Sequence, residues 1–222
     1  MLHFDVAELP TGGWELKGTK TTARTKGGQP LVLPTKPLAE KMAGQLSELG
    51  AKSPLFLLAS ATIDTVMPER AARIAELGSF LDTDLVFYRA PDPADLRARQ
   101  DAAWDAAINW AIGNGAGGLT VTEGLVRIHQ PEQAHSMLAQ VLGQMSDWQL
   151  LVAHRAGHQA GSVILGCMFA QKMLDAQGLF EAANVEELYQ TWRYGADAEL
   201  DKKLAHTRTV LDQLQTFRDL LA

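Results

Sequence analysis

His154 and His158 stand four residues apart, a spacing that places two imidazoles on one face of a helix and can hold zinc. No glutamate adjoins His154, Arg155 would repel a cation, and no third ligand is evident nearby in the sequence. The pair reads as partly buried or helix-flank histidines. Gly113-Asn114-Gly115-Ala116-Gly117-Gly118 fits the pattern G-x-G-x-x-G. A dinucleotide fingerprint follows a strand and opens a helix, because the pyrophosphate sits on that helix N-terminus. Here a helix precedes and a strand follows, so the glycines read as a helix terminator. Cys167, the only cysteine, lies in the apolar run Ala160–Ala170, where a thiol is core and unreactive. Asp82 and Asp84 could pair as carboxylates, but without a neighbouring histidine they read as turn and capping residues. No serine has a nucleophile-elbow context. These residues give no catalytic, cofactor or metal site, and an enzyme built on His154 and His158 is the reading they support least.

Residues 181–201 carry a different chemistry. Six acids (Glu181, Glu186, Glu187, Asp197, Glu199, Asp201) face one base, Arg193, and Tyr189, Trp192 and Tyr194 are interleaved with them. Aromatic residues dominate interface hot spots and acidic rims steer basic partners. The plainer reading is a helix junction whose aromatics face the core and whose acids face water.

The elements that must position these residues fall into two groups. The first third reads as short strands: Trp14 to Lys17 after Gly12-Gly13, and Leu31 to Leu33 after Gly27-Gly28. Pro34 to Pro37 then opens a helix to about Leu49, with Leu38, Met42, Leu46 and Leu49 on one face. Pro68 opens another. Asp84 to Tyr88 reads as a short strand or extended connector, and Asp92 as the N-cap of a helix with Pro93 at its first position. Leu119 to Val121 and Leu125 to Ile128 read as two short strands around Gly124, and Pro131 starts a further helix. Ser146 caps a helix expected to run to about Ala176, apolar almost all round, with Ala153, Gly157 and Gly161 spaced to admit a close neighbour. A last helix from about Asp197 carries Leu200, Leu204, Leu211, Leu214, Phe217 and Leu221. The expected fold class is α+β: a small strand-rich N-terminal domain over residues 1–78, packed on a larger, mainly helical domain over 79–222.

The 222 residues carry a net charge of −6, and residues 1–36 hold five bases against three acids, so the remainder is strongly acidic. Such a body repels phosphate and argues against nucleic acid. The basic Thr- and Gly-rich segment with Lys17, Lys20, Arg24 and Lys26 is small for a phosphate site. No apolar run approaches the roughly 20 residues needed to span a bilayer. The N-terminus lacks the pattern of a secretory signal or transit peptide. A soluble protein of a reducing compartment is expected.

An ordered set of short motifs resembles the ATP-twelve family, the assembly chaperones for the α subunit of F1-ATPase. They are Pro30 to Thr35 leading into Leu38-Ala39-Glu40, Thr62-Ile63-Asp64, Asp82 to Val86 with Tyr88-Arg89-Ala90, and Gln100 with Trp104-Asp105. Leu119 to Gly124, Glu186 to Gln190 and Gly195 to Glu199 complete the series. Two places depart from the family pattern: Tyr194-Gly195 replaces a Trp-Gly, and Thr19-Lys20-Thr21 stands where an Asp-Gly-Arg turn is usual. The resemblance implies a chaperone that binds free α subunit, prevents its aggregation and releases it to the β subunit, with no cofactor and no membrane insertion. It implies partner-binding roles for Glu187, Asp197 and Glu199. Gln190 and Trp192 join them as candidates from the same segment. It also implies a bacterial cytoplasm, or a mitochondrial matrix for a processed eukaryotic form. A general interaction module for another partner is the alternative.

Overall fold

The structure, a computed structural model, describes residues 3–19, 21–124 and 126–221. The chain divides into two compact units, Met1–Arg70 with Gln215–Ala222, and Ala71–Leu214.

The first unit opens on an antiparallel hairpin, β1 (Phe4–Glu8) and β2 (Trp14–Gly18), with Phe4 opposite Gly18 and Glu8 opposite Trp14. Gly13 holds φ of 90°, and a Cβ there would lie 2.8 Å from Val32 Cγ1. Only glycine lets the segment ending at Leu33 close on the hairpin. The Leu33 amide donates to Trp14 O and the Trp14 amide to Leu33 O, both at 2.8 Å. The strand expected over Leu31 to Leu33 is therefore a bridge: Pro30 and Pro34 flank it without N–H groups, so a ladder cannot propagate. Lys20, in the expected Thr19-Lys20-Thr21 turn, lies outside the described residues.

Helix α1 (Lys36–Leu49) begins at Thr35, whose hydroxyl oxygen accepts from the Leu38 amide. Leu38, Met42 and Leu46 are buried, whereas Leu49, on the last turn, is exposed. Helix α2 (Pro54–Ala61), capped by Ser53, runs into a π turn at Thr62–Val66. That turn presents Asp64 to the basic loop: the Thr25 hydroxyl donates to Oδ1 at 2.6 Å and the Gly27 amide to Oδ2 at 2.8 Å. Two donors that a phosphate in this loop would use, the Thr25 hydroxyl and the Gly27 amide, thus already engage a carboxylate.

Helix α3 (Arg70–Ser79), all but its first residue in the second unit, is followed by a 3₁₀ turn at Leu85–Phe87 and by β3 (Tyr88–Arg89), which pairs in parallel with β4 (Thr122–Glu123). The strand expected over Leu119 to Val121 is displaced to these two residues. Leu125, in the second expected strand, lies outside the described residues, and Val126 to Ile128 form no strand. Helix α4 (Ala94–Gly113) starts one residue later than Asp92 as cap would give, with Pro93 at the N-cap, and ends in the glycine run as expected. Helix α5 (Glu132–Gln144) follows Pro131.

The long helix expected from Ser146 to Ala176 is instead two helices, α6 (Asp147–Ala160) and α7 (Val163–Ala170). Gly161 terminates α6 in the left-handed conformation, and the Ser162 hydroxyl accepts from the Leu165 amide to start α7. The break supplies the close neighbour that the small-residue face calls for. A Cβ on Gly166 of α7 would lie 2.5 Å from Ala153 O and 2.8 Å from Gly157 Cα of α6. Helices α8 (Ala176–Ala183), α9 (Val185–Tyr194) and α10 (Ala198–Asp219) complete the chain. The fold is α+β, with strands concentrated near the N-terminus and helices dominating the larger unit. Among the described residues no helix is long and apolar enough to cross a membrane.

Candidate functional site

Helix α9 has a buried face and an open one. Val185 and Tyr189 point inward, and the Tyr189 hydroxyl is 2.9 Å from Asp95 Oδ1 on α4. Trp192, one turn on, is 59% exposed and Tyr194 is 79% exposed. The three aromatics are thus divided: one belongs to the core and two face solvent. Trp192 is held in place by one neighbour on α4 and one on α9. The Arg99 guanidinium on α4 lies 4.5 Å from its ring centroid, and the Tyr189 ring is 5.7 Å away. Arg99 carried no signal in the sequence, because its partner is more than ninety positions distant.

The acids around these rings have distinct roles. Asp197 Oδ1 accepts from the amides of Glu199 and Leu200 at 3.0 and 2.8 Å, capping α10. Glu199 sits in the first turn of α10, where the helix dipole favours a negative charge, and is exposed. Gln190 is exposed on α9. Glu187 is half-buried and pairs with Lys203 Nζ at 2.9 Å. Glu186, Glu187, Lys203, Thr207 and Trp104 line a polar cavity of about 240 Å³. Glu186 accepts from Gln100 Nε2 at 2.8 Å, and Gln100 Oε1 in turn accepts from the Ala90 amide. Gln190, Trp192, Tyr194, Asp197 and Glu199 are thus each exposed on α9 or at the start of α10, whereas the Glu186 and Glu187 side chains are engaged by Gln100 and Lys203.

Several motif residues are fold determinants. Trp104 is buried and its indole N–H donates to Ala182 O at 2.7 Å. Arg89 is buried, bonded to Val86 O and paired with Asp101 and Asp105. Asp84 is fully buried; Oδ1 accepts from the Val86 amide and Oδ2 from the Ile164 amide at the start of α7. Burial outweighs those donors and raises its carboxyl to about 6. Asp82 departs from the expected local role. Its carboxylate receives the Gln130 amide at 2.9 Å and lies 3.0 Å from a ring nitrogen of each of His129 and His135. Against burial, which alone would raise it, these partners keep it below the usual carboxylate range. The Cys167 thiol is buried and pushed above its ordinary value.

His154 and His158 lie against Glu76 of α3, at 3.5 and 3.7 Å, a carboxylate that spacing along the chain did not reveal. Burial, then the neighbouring His158 charge, depress the His154 pKa and favour its neutral ring.

Comparison with known proteins bears on this arrangement. The family described as ATP12 chaperone protein matches residues 3–112. The crystal structure of Atp12 from Paracoccus denitrificans is 28% identical, superposes with a TM-score of 0.89, and the match covers 99% of this chain and 96% of that one. An aspartate-to-lysine mutant of the P. denitrificans Atp12p gives a TM-score of 0.90 at the same 28% identity and the same coverage. A structure from Agrobacterium tumefaciens, 24% identical with a TM-score of 0.89 over 99% of this chain and 84% of that one, shares the fold. The α9–α10 surface lies beyond the residues matched by the family but within the length covered by the structural matches.

Proposed function

We propose, from the premise that the chain belongs to the ATP12 chaperone family, that it binds the free α subunit of F1-ATPase, keeps that subunit from aggregating and yields it for assembly with β. A chaperone needs no bond-making step, and its client supplies the driving force. An unassembled subunit exposes an apolar interface, and a binder present at 100 times its Kd stabilises the covered form by about 2.7 kcal/mol. The native partner then displaces the chaperone by competing for the same surface.

The observation that carries this reading is the exposure of Trp192 and Tyr194 on a segment that also leaves Gln190, Asp197 and Glu199 open to solvent. A large indole left 59% exposed yet held by a stacked guanidinium is preorganised for contact. The acids around it favour a client surface carrying lysine or arginine beside an apolar patch. Glu187 contributes by exchanging Lys203 for a client cation. These five residues, Glu187, Gln190, Trp192, Asp197 and Glu199, are the proposed contact set.

Co-expression with the same organism's F1 α subunit tests the proposal. Soluble α that co-purifies with the chaperone is expected. Equally insoluble α with nothing bound would overturn the client assignment, and solubilisation of unrelated subunits would favour a general interaction module.

A further inference from the structure

We propose that Glu76, His154 and His158 form a zinc-binding site on the second unit. One ligand atom from each lies within 4.8 Å of the others. Glu76 Oε2 is 3.5 Å from His154 Nε2, and Glu76 Oε1 is 3.7 Å from His158 Nε2. Bonds of about 2.0–2.1 Å in a tetrahedral zinc site leave ligand atoms roughly 3.3 Å apart. Two separations are within a few tenths of an ångström of that figure, and small rotations of the imidazoles close the third. Two imidazoles and one carboxylate suit zinc rather than magnesium or calcium, which take oxygen ligands.

The surroundings favour a ligand role over a simple surface ion pair. His154 Nε2 is buried, and its 3.5 Å contact with Glu76 Oε2 does not meet hydrogen-bond geometry, a costly state for a polar atom that coordination relieves. Arg73 Nη1 donates to Glu76 Oε2 at 2.6 Å, fixing the carboxylate as hydrogen-bonded partners do for metal-bound carboxylates. The Phe80 ring stands edge-on to His158 at 5.0 Å and limits its rotation. His158 also borders a cavity of about 210 Å³ beside Phe80, Gly157 and Ser162, which leaves room for a water as the fourth ligand. Bound zinc would tie α3 to α6 through groups 78 and more positions apart in sequence. The Asp82 cluster also gathers two histidines on one carboxylate, but its ring nitrogens do not converge within the same span.

The test uses the untagged full chain, stripped with a chelator and titrated with zinc against a chromophoric indicator. One zinc per chain is expected, with cobalt(II) giving the visible bands of a four-coordinate site. His158→Ala, at a half-exposed position, and His154→Ala should each weaken binding by at least about 10-fold, with unchanged far-ultraviolet circular dichroism. His129→Ala should leave it unaltered. Absence of binding by the wild-type chain overturns the site. So does stoichiometric binding that survives both His154→Ala and His158→Ala, or is lost on His129→Ala.

Discussion

Replacing Asp84 with asparagine should change how the stability of the second unit depends on pH. The carboxyl is fully buried and its pKa is raised from 3.8 to about 6. In the folded chain it therefore holds a proton over a range where the unfolded chain has released it. Its contribution is greatest below pH 3.8 and falls as pH rises to about 6, where the folded group ionises. At about 1.4 kcal/mol per pH unit, that loss amounts to about 3 kcal/mol. Glu76, Asp82 and Asp101 act in the opposite sense, because their folded values are lowered and their contribution is lost as pH falls. The difference between wild type and Asp84→Asn isolates the one group. Asparagine must also direct an N–H toward either the Val86 or the Ile164 amide, a penalty that does not vary with pH. Urea unfolding followed by tryptophan fluorescence reports mainly this unit, which holds four of the five tryptophans, Trp104, Trp110, Trp148 and Trp192, and Trp14→Phe removes the signal of the first unit. The substitution should be more damaging at pH 4 than at pH 7 by about 2 kcal/mol, a relative midpoint shift on the order of 1 M urea. A difference constant across that range would refute the reasoning and show that the amide donors fully offset burial.

Three further outcomes are expected. Trp192→Ala should weaken client binding by about 2 kcal/mol, roughly 30-fold, with little change in thermal unfolding, measured by titration of client into labelled chaperone; Arg99→Ala should move binding the same way by less. Glu187→Lys should weaken binding and cost no more than about 1 kcal/mol of stability, since the Lys203 pair is solvent-accessible. Adding Lys203→Glu should restore the ion pair but not binding, as read by the same titration with a parallel melt. Gly166→Ala should destabilise the chain by about 1–3 kcal/mol in chemical unfolding, because its methyl would overlap Ala153 O.

Much of this architecture was legible in the residues. Thr35 with Pro37 marked the start of α1, the glycines after Ile112 marked the end of α4, and Asp197 marked the start of α10. These signals are local, and the backbone obeys them locally. The failures are of two kinds. The break at Gly161-Ser162 was hidden because a glycine within an apolar run serves equally as a close-packing residue or as a terminator; the Ser162 cap decides between them. The other failures concern long-range convergence: Glu76 reaching His154, His129 and His135 reaching Asp82, and Arg99 reaching Trp192. Residue spacing says nothing about such meetings. The acidic-aromatic segment was visible as composition, but only the fold separates Tyr189, which is core, from Trp192 and Tyr194, which are not.

The α6–α7 turn also bears on the order in which the chain folds. Only Gly161 and Ser162 separate the two helices, so bringing them together costs little loop-closure entropy, and the glycines at 157 and 166 admit the closest approach at once. Contacts so near in sequence form faster than those linking α3 to α6 or α4 to α9. Residues 147–170 are therefore placed to act as a nucleus on which the later-forming helices α8 to α10 are organised, and their amides should be among the slowest to exchange with solvent.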